Sequence, residues 1–496
     1  MQVSDLFKYR NPEIRALHLT WIAFFISFFV WFNMAPLATT MLKYNGWLTA
    51  KDLKIIAICN VALTIPARLL TGMALDKYGP RRVFAILMVL CGIPGLFFAF
   101  GNTLSQLLVS RLVLSSIGAS FVVGIHMTAL WFKPRDIGFA EGFYAGWGNF
   151  GSAGAAIVLP TIAALVFGGE NGWRYAIAFS CVFMMAYGVF YWFAITDGPK
   201  GSVHVKPRKV AALEVSTWGD MIQLIVWTIP TVGILSILVW RIQTAGYITM
   251  TGAYISYAVI AAVVLYQIIQ ILRVNLPILK KGVPEDDKYP FSSVAALNAT
   301  YFANFGAELA VVSMLPAFFE SVWTLTPAAA GMIAASFAFV NLFARPLGGW
   351  VSDRFNSRKR IMMFYMLGIA VGFFLMALMN SAWPIALATL VTVACSMFVQ
   401  GAEGATFGII PSIKRRLTGQ ISGMAGAYGN VGAVFYLFIY TFVTANQFFY
   451  IIAAGAFLSF IFCLIMLKEP KGGFAEEYHV SSVDREIERE GNSGAH

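Results

Sequence analysis

Apolar runs of 18 or more residues recur from one end of this 496-residue chain to the other, and that narrows its fold more than any motif does. A run of that length crosses the roughly 30 Å hydrocarbon core of a bilayer as a helix. In lipid only helices and closed barrels satisfy their own backbone polar groups. With 59% hydrophobic and 12% charged residues, the chain is expected to be an all-α integral membrane protein whose partner is the lipid bilayer. A net charge of +11 would suggest nucleic acid in a soluble domain, but here the basic residues lie in short links between apolar runs, where they set topology. No nucleic-acid partner is expected. Cys59, Cys91, Cys181, Cys395 and Cys463 fall in apolar segments without paired metal spacing and read as buried reduced thiols. The first apolar run is too long for a signal-peptide core and no small-residue cleavage site follows it, so the N-terminus is expected to be retained.

The runs group as six, two and six. Residues 1–195 read as a six-helix bundle, 196–290 as a central link with two extra helices, and 291–467 as a second six-helix bundle. The tail, 468–496, is charged without an apolar face and is expected to be unstructured or loosely helical. Lys8, Arg10 and Arg15, then Lys77, Arg81 and Arg82, then Lys133 and Arg135, then the cluster from Lys200 to Lys209 all fall on one side of the membrane. Lys280, Lys281, Arg354, Arg358, Lys359, Arg360, Lys414, Arg415 and Arg416 join them from the second half, which makes both termini cytoplasmic. Fourteen spans satisfy that topology. Twelve satisfy it too, if the middle runs, about Met221 to Trp240 and Tyr247 to Leu272, are a re-entrant pair or lie on the surface.

Two elements occur twice. Residues 145–155 read AGWGNFGSAGA and residues 426–432 read GAYGNVG, while Lys133, Arg135, Gly138, Gly142 and Gly148 recur 281 positions later as Lys414, Arg416, Gly419, Gly423 and Gly429. Small residues let membrane helices approach closely, and the amides among them, Asn149 and Asn430, have something to hold. Close packing alone is the other reading of the glycines. The second element is GMALDKYGPRR at 72–82 and GWVSDRFNSRK at 349–359. An Asp near a helix C-terminus followed by a basic turn gives an ion-paired latch, here Asp76, Arg81 and Asp353. Eight residues before each Asp stands an arginine, Arg68 and Arg345, about 12 Å further into the bilayer. Either each meets a buried carboxylate, or two planar guanidinium forks face each other across a cavity and suit a small oxyanion.

The second element resembles the loop signature of the major facilitator superfamily, closely in its first copy and without the glycine after Phe355 in its second. That resemblance implies two pseudo-symmetric six-helix bundles with a substrate site between them near the midplane, opened alternately to each side. The glycine-rich pair, taken with both arginines, is similar to the nitrate signatures of the nitrate/nitrite porter family, the NarK-type bacterial transporters and their plant and fungal relatives. The family resemblance implies that Arg68 and Arg345 grip the anion, that Asn149 and Asn430 contribute polar contacts, and that Tyr301, Phe305 and Phe121 line the site. For Phe305 and Phe121 ordinary bundle packing is the alternative.

Two carboxylates within the spans bear on coupling. Glu308 shares a helical face with Tyr301 and Phe305, and Glu403 lies deep in QGAEGATFG. Their context resembles the proton-coupled symporters of the family, although one or both could simply pair with Arg68 or Arg345. His126 reads as a core residue and Glu141 as part of the latch. The resemblance therefore implies secondary active import of nitrate, and of nitrite, across the cell inner membrane by proton symport, with nitrate/nitrite antiport as the alternative. The unit is expected to be a functional monomer without cofactor, metal or enzymatic activity. A sensor would need an output domain that the link and tail are too short to supply. A channel would not need two latch signatures, and a membrane haem enzyme would need ligand histidines, whereas those other than His126 are His18, His204, His479 and His496.

Overall fold

The computed structural model describes residues 3–199, 211–244, 246–325, 327–355, 357–470, 472–475 and 477–493. The basic cluster from Lys200 to Lys209 lies outside them. The membrane-length helices are α1 Pro12–Leu37, α2 Lys51–Tyr78, α3 Pro80–Phe100, α4 Leu104–Trp131, α5 Ile137–Phe167, α6 Gly172–Ala194, α7 Trp218–Thr244, α8 Met250–Lys281, α9 Phe291–Trp323, α10 Ala329–Arg354, α11 Arg358–Ala377, α12 Ile385–Ile413, α13 Thr418–Tyr440 and α14 Ala445–Met466. All but α13 are apolar enough to cross a membrane by composition. At 23 residues α13 is long enough, but its glycines, Gln420 and Asn430 make it less apolar than the rest. It is buried at every residue from Thr418 to Val434, so protein rather than lipid surrounds it.

Local sequence sets the helix ends. Pro12 opens α1 behind Asn11, whose side chain accepts from the Glu13 N–H, and Thr444 with Gln447 forms a reciprocal capping box at the start of α14. Both arginine-bearing helices are interrupted five residues before their arginine, α2 at Leu63 and α10 at Val340. In α2 the cause is Pro66, which has no N–H to offer the preceding turn.

Helices α1–α6 and α9–α14 form two halves that meet along two equivalent seams, α2 on α13 and α5 on α10. Glycines set the spacing. A Cβ added to Gly72 would lie 2.5 Å from the Gly419 carbonyl oxygen, and one added to Gly349 would lie 1.8 Å from that of Gly138. Further along the same seams, a Cβ on Gly142 would meet the Arg345 carbonyl oxygen at 2.4 Å and one on Gly423 that of Arg68 at 2.6 Å. The repeated glycines thus bring each half onto the backbone of the other half's arginine.

The extra helices pack together beside α9 and α13. Around the middle of α7, Ile234, Leu235 and Leu238 pack against Ile65 of α2 and Ala427, Val431 and Val434 of α13, covering the gap between the halves. Reporters at the N-terminus, near Lys206, near Pro284 and at the C-terminus are expected on one side of the membrane and a reporter between Thr244 and Met250 on the other. Labelling of that turn from the same side as the rest would return the count to twelve.

The tail is docked, contrary to the expectation from its composition. Its contacts run back to the bundle: Arg416 donates to the buried Asp484 at 2.8 Å, Ser481 Oγ to Asp287 at 2.5 Å, and Arg358 to the Gly473 carbonyl at 2.9 Å while lying 5.2 Å from the Phe474 ring centroid. Ser481 and Asp484 cap α15, Ser482–Ser493, reciprocally. Against the upward pull of its own burial, Arg416 and Lys414 bring the Asp287 carboxyl down to about 2. This anchor forms above the ordinary carboxylate range and is lost only as pH falls towards 2, so it holds throughout the physiological window.

Candidate functional site

The latch is built from helix ends. Asp76 accepts from the backbone N–H groups of Gly419 at 3.0 Å and Gln420 at 3.1 Å, in the first turn of α13. Asp353 accepts from Gly138 at 3.0 Å and Phe139 at 2.8 Å, in the first turn of α5. Each carboxylate therefore caps a helix of the opposite half, where unpaired N–H groups and the positive end of the dipole favour an anion. Arg358 pairs with Asp353 at 2.9 Å and donates to the Pro134 carbonyl at 2.6 Å, across the same seam. Arg81 is placed elsewhere: its guanidinium lies over the Trp192 ring and its backbone N–H bonds Asp197. The basic side chain nearest Asp76 is His126, with Nδ1 3.7 Å from Oδ1.

Because the latch depends on two backbones touching, Gly349→Val is expected to abolish transport in a protein that still inserts. In that background a cysteine introduced by Ala140→Cys should change from protected to labelled from the latch side. Wild-type transport by Gly349→Val would show that this glycine contact is not part of the gate.

Beyond the latch, both arginines are 0% exposed. Arg68 donates through Nε to the Gly118 carbonyl at 3.2 Å and through Nη1 to the Gly426 carbonyl at 2.5 Å, so it bridges the halves, and its Nη2 has no partner. Arg345 Nη2 pairs with Glu403 and lies 3.4 Å from the Tyr301 hydroxyl, while its Nε and Nη1 have no partner. Both lie against the Phe121 ring, its centroid 5.2 Å from the Arg68 guanidinium carbon and 5.7 Å from that of Arg345. Phe121 stacks on Tyr301 at 6.1 Å, Tyr301 stacks on Phe305 at 5.0 Å, and Phe305 in turn faces Arg68 at 5.4 Å. Aromatic faces stabilise cations where water does not reach.

The structure thus brings Arg68, Arg345, Tyr301, Phe305, Phe121 and Glu403 into one cluster. Glu308 lies beside it with other partners, its Oε1 accepting from Asn341 at 3.0 Å and Gln400 at 2.9 Å. Asn149 and Asn430 are buried, each two turns beyond the glycine that touches an arginine backbone, and neither bonds an arginine. Phe407 closes edge-on against Phe121 and Tyr301, both at 4.7 Å. Phe407, Asn341 and Gln400 escaped the sequence reading. Their signal was helical spacing, since each stands three or four residues from Glu403 or Arg345.

Two bundles joined by cross-capped helix ends, with buried cations between them, define a multi-pass membrane transporter rather than an enzyme. The profile of the Major Facilitator Superfamily matches residues 20–279 and 297–484. The nitrate/nitrite transporter NrtP of Picosynechococcus sp. is 43% identical over 507 aligned residues, covering 94% of this chain and 95% of that protein. NrtP of Nostoc punctiforme is also 43% identical, covering 96% of each. The chain belongs to the nitrate/nitrite porter family of the major facilitator superfamily. Among solved structures, the proton:xylose symporter XylE resembles it with a TM-score of 0.59 at 14% identity, covering 94% of this chain and 99% of that one, a likeness of fold alone.

Proposed function

We propose that this protein imports nitrate, and nitrite with it, by alternating access driven by protons, with Arg68 and Arg345 as the anion grip. The observation that carries the reading is the pair of fully buried, repeat-related guanidinium groups that share the Phe121 ring, 5.2 and 5.7 Å from its centroid, with three unpaired nitrogens among them. Nitrate is flat, singly charged and weakly hydrated, so an aromatic-walled slot with two planar donors suits it. Phosphate would demand more donors and a larger desolvation cost. The names of the 43%-identical relatives support the same substrate. Asn149 and Asn430 contribute polar groups as the halves move, Asp76 and Asp353 hold the latch, and Glu308 and Glu403 carry the coupling protons.

Charge balance supports coupling. With Glu308 neutral, Arg68, Arg345 and Glu403 sum to one positive charge, which draws in a monoanion before Glu403, displaced from Arg345, takes up a proton of its own. A charged Glu308 leaves the empty site neutral, so proton uptake at Glu308 and anion binding strengthen each other. The deciding experiment is nitrate uptake into proteoliposomes at clamped internal and external pH, with and without a protonophore. Accumulation that follows an inward proton gradient and collapses with the protonophore is expected. Uptake that requires internal nitrite or nitrate and ignores the gradient would replace symport by exchange, and an unsaturable current would replace the transporter by a channel.

A further inference from the structure

Glu308 is held by the same two helices that carry the Arg345 ion pair. Asn341 stands one turn before Arg345 on α10, and Gln400 stands three residues before Glu403 on α12. Both donate to the same oxygen, Glu308 Oε1, at 3.0 and 2.9 Å. The three side chains are at least nine-tenths buried, and Glu308 Oε2, Asn341 Oδ1 and Gln400 Oε1 have no donor. On the cytoplasmic-latch side of this cluster, Arg345 and Glu403 tie the same helices together a second time. Two donors on one oxygen favour the ionised carboxylate, and losing either favours the protonated one.

We propose that Asn341 and Gln400 are positioning residues that tie protonation of Glu308 to anion binding at Arg345. The proposal rests on the proton-driven reading above. An anion taking Arg345 frees Glu403, which releases α10 from α12 at that point. The amide clamp then stays across Glu308, alongside the Ser396 Oγ bond to the Phe337 carbonyl at 2.5 Å between the same helices, and any separation of the two at Glu308 draws one donor off Oε1. The carboxylate that loses a donor takes up a proton, so anion and proton load together, and the return of the Glu403 pair restores both donors and expels the proton. Other charged groups on the helices packed against α9 lie at or near helix ends: Asp220 and Arg241 on α7, Asp353 and Arg354 on α10, and Arg358, Lys359 and Arg360 on α11. Helices α13 and α14 carry no acidic, basic or histidine side chain. Near Glu308, therefore, Arg345 and Glu403 are the charges that anion binding rearranges.

The test is the pH profile of nitrate uptake into proteoliposomes, recorded at low and at saturating nitrate, for wild type, Asn341→Leu and Gln400→Met. By reciprocal linkage the wild-type midpoint is expected to rise with nitrate. In each variant the midpoint is expected to sit about one pH unit higher, the worth of one hydrogen bond to a charged group, and to stop responding to nitrate, while nitrate counterflow at symmetric pH persists. Counterflow with a wild-type midpoint that still follows nitrate would make the amides structural and overturn the proposal. The two variants act on different helices and each removes one donor, so either suffices if the other fails to insert. A wild type whose uptake shows no proton dependence would instead overturn the symport reading, and this proposal with it, and that failure is recognisable because it precedes any substitution.

Discussion

Arg68→Lys and Arg345→Lys are each expected to abolish nitrate transport while the protein remains inserted and folded. Lysine keeps the charge but gathers its donors at one point, whereas each arginine here uses separate nitrogens for separate tasks. Arg68 spends Nε and Nη1 on carbonyls of two different helices and keeps Nη2 unpaired. A lysine at that position reaches one carbonyl or the anion but does not span both. Arg345 divides its fork likewise between Glu403 and two unpaired nitrogens. Loss of two charge-assisted hydrogen bonds is worth about 3 kcal/mol or more, roughly 100-fold in affinity. Counterflow and equilibrium binding should fall together, since the defect lies in the grip and not in the energy source. Transport at the wild-type rate by either lysine variant would remove that arginine from the site.

What the sequence disclosed of this site, and what it withheld, follows from the range over which each interaction acts. Span positions were legible because the bilayer imposes length and hydropathy on every crossing segment. The arginines were legible as buried, repeat-related cations because each stands eight residues into a helix from an aspartate, but that Arg345 and not Arg68 meets a buried carboxylate was not. The partner of each carboxylate was not. Glu308 and Glu403 look alike in GAEL and GAEG, yet one meets two amides and the other a guanidinium, a choice fixed by how α9, α10 and α12 cross. The latch misled for a related reason. A basic turn after Asp76 suggests an ion pair, but the seam glycines let the first turn of α13 come close enough for its bare N–H groups to serve. The tail was invisible because its partners, Asp287, Arg358 and Arg416, are scattered over more than a hundred residues of sequence.

Glu308→Gln and Glu403→Gln are each expected to lose accumulation driven by the membrane potential, for different reasons and with different residual activities. A nitrate ion moving into a cell with a negative interior climbs roughly 2.3 kcal/mol per 100 mV, so one proton only cancels that cost, and accumulation driven by the membrane potential needs more than one. The site offers two carboxylates. On the proposed reading Glu308 takes one proton as its clamp opens, and Glu403 takes another when the anion displaces it from Arg345. The loaded site then carries two guanidinium charges against one nitrate, so the membrane potential drives it inward instead of opposing it. Glutamine at Glu308 imitates the protonated form permanently and leaves the Arg345 pair intact. Counterflow should therefore continue at close to the wild-type rate while uptake keeps only the Glu403 proton and loses its drive from the membrane potential. Glutamine at Glu403 removes the anion that nitrate must displace, so nitrate should bind more tightly and leave more slowly. In that variant the dissociation constant falls and counterflow slows, with accumulation lost as before. Undiminished dependence on an inward proton gradient in both variants would make these carboxylates structural. Tighter nitrate binding in Glu308→Gln rather than Glu403→Gln would reverse the assignment of the two roles.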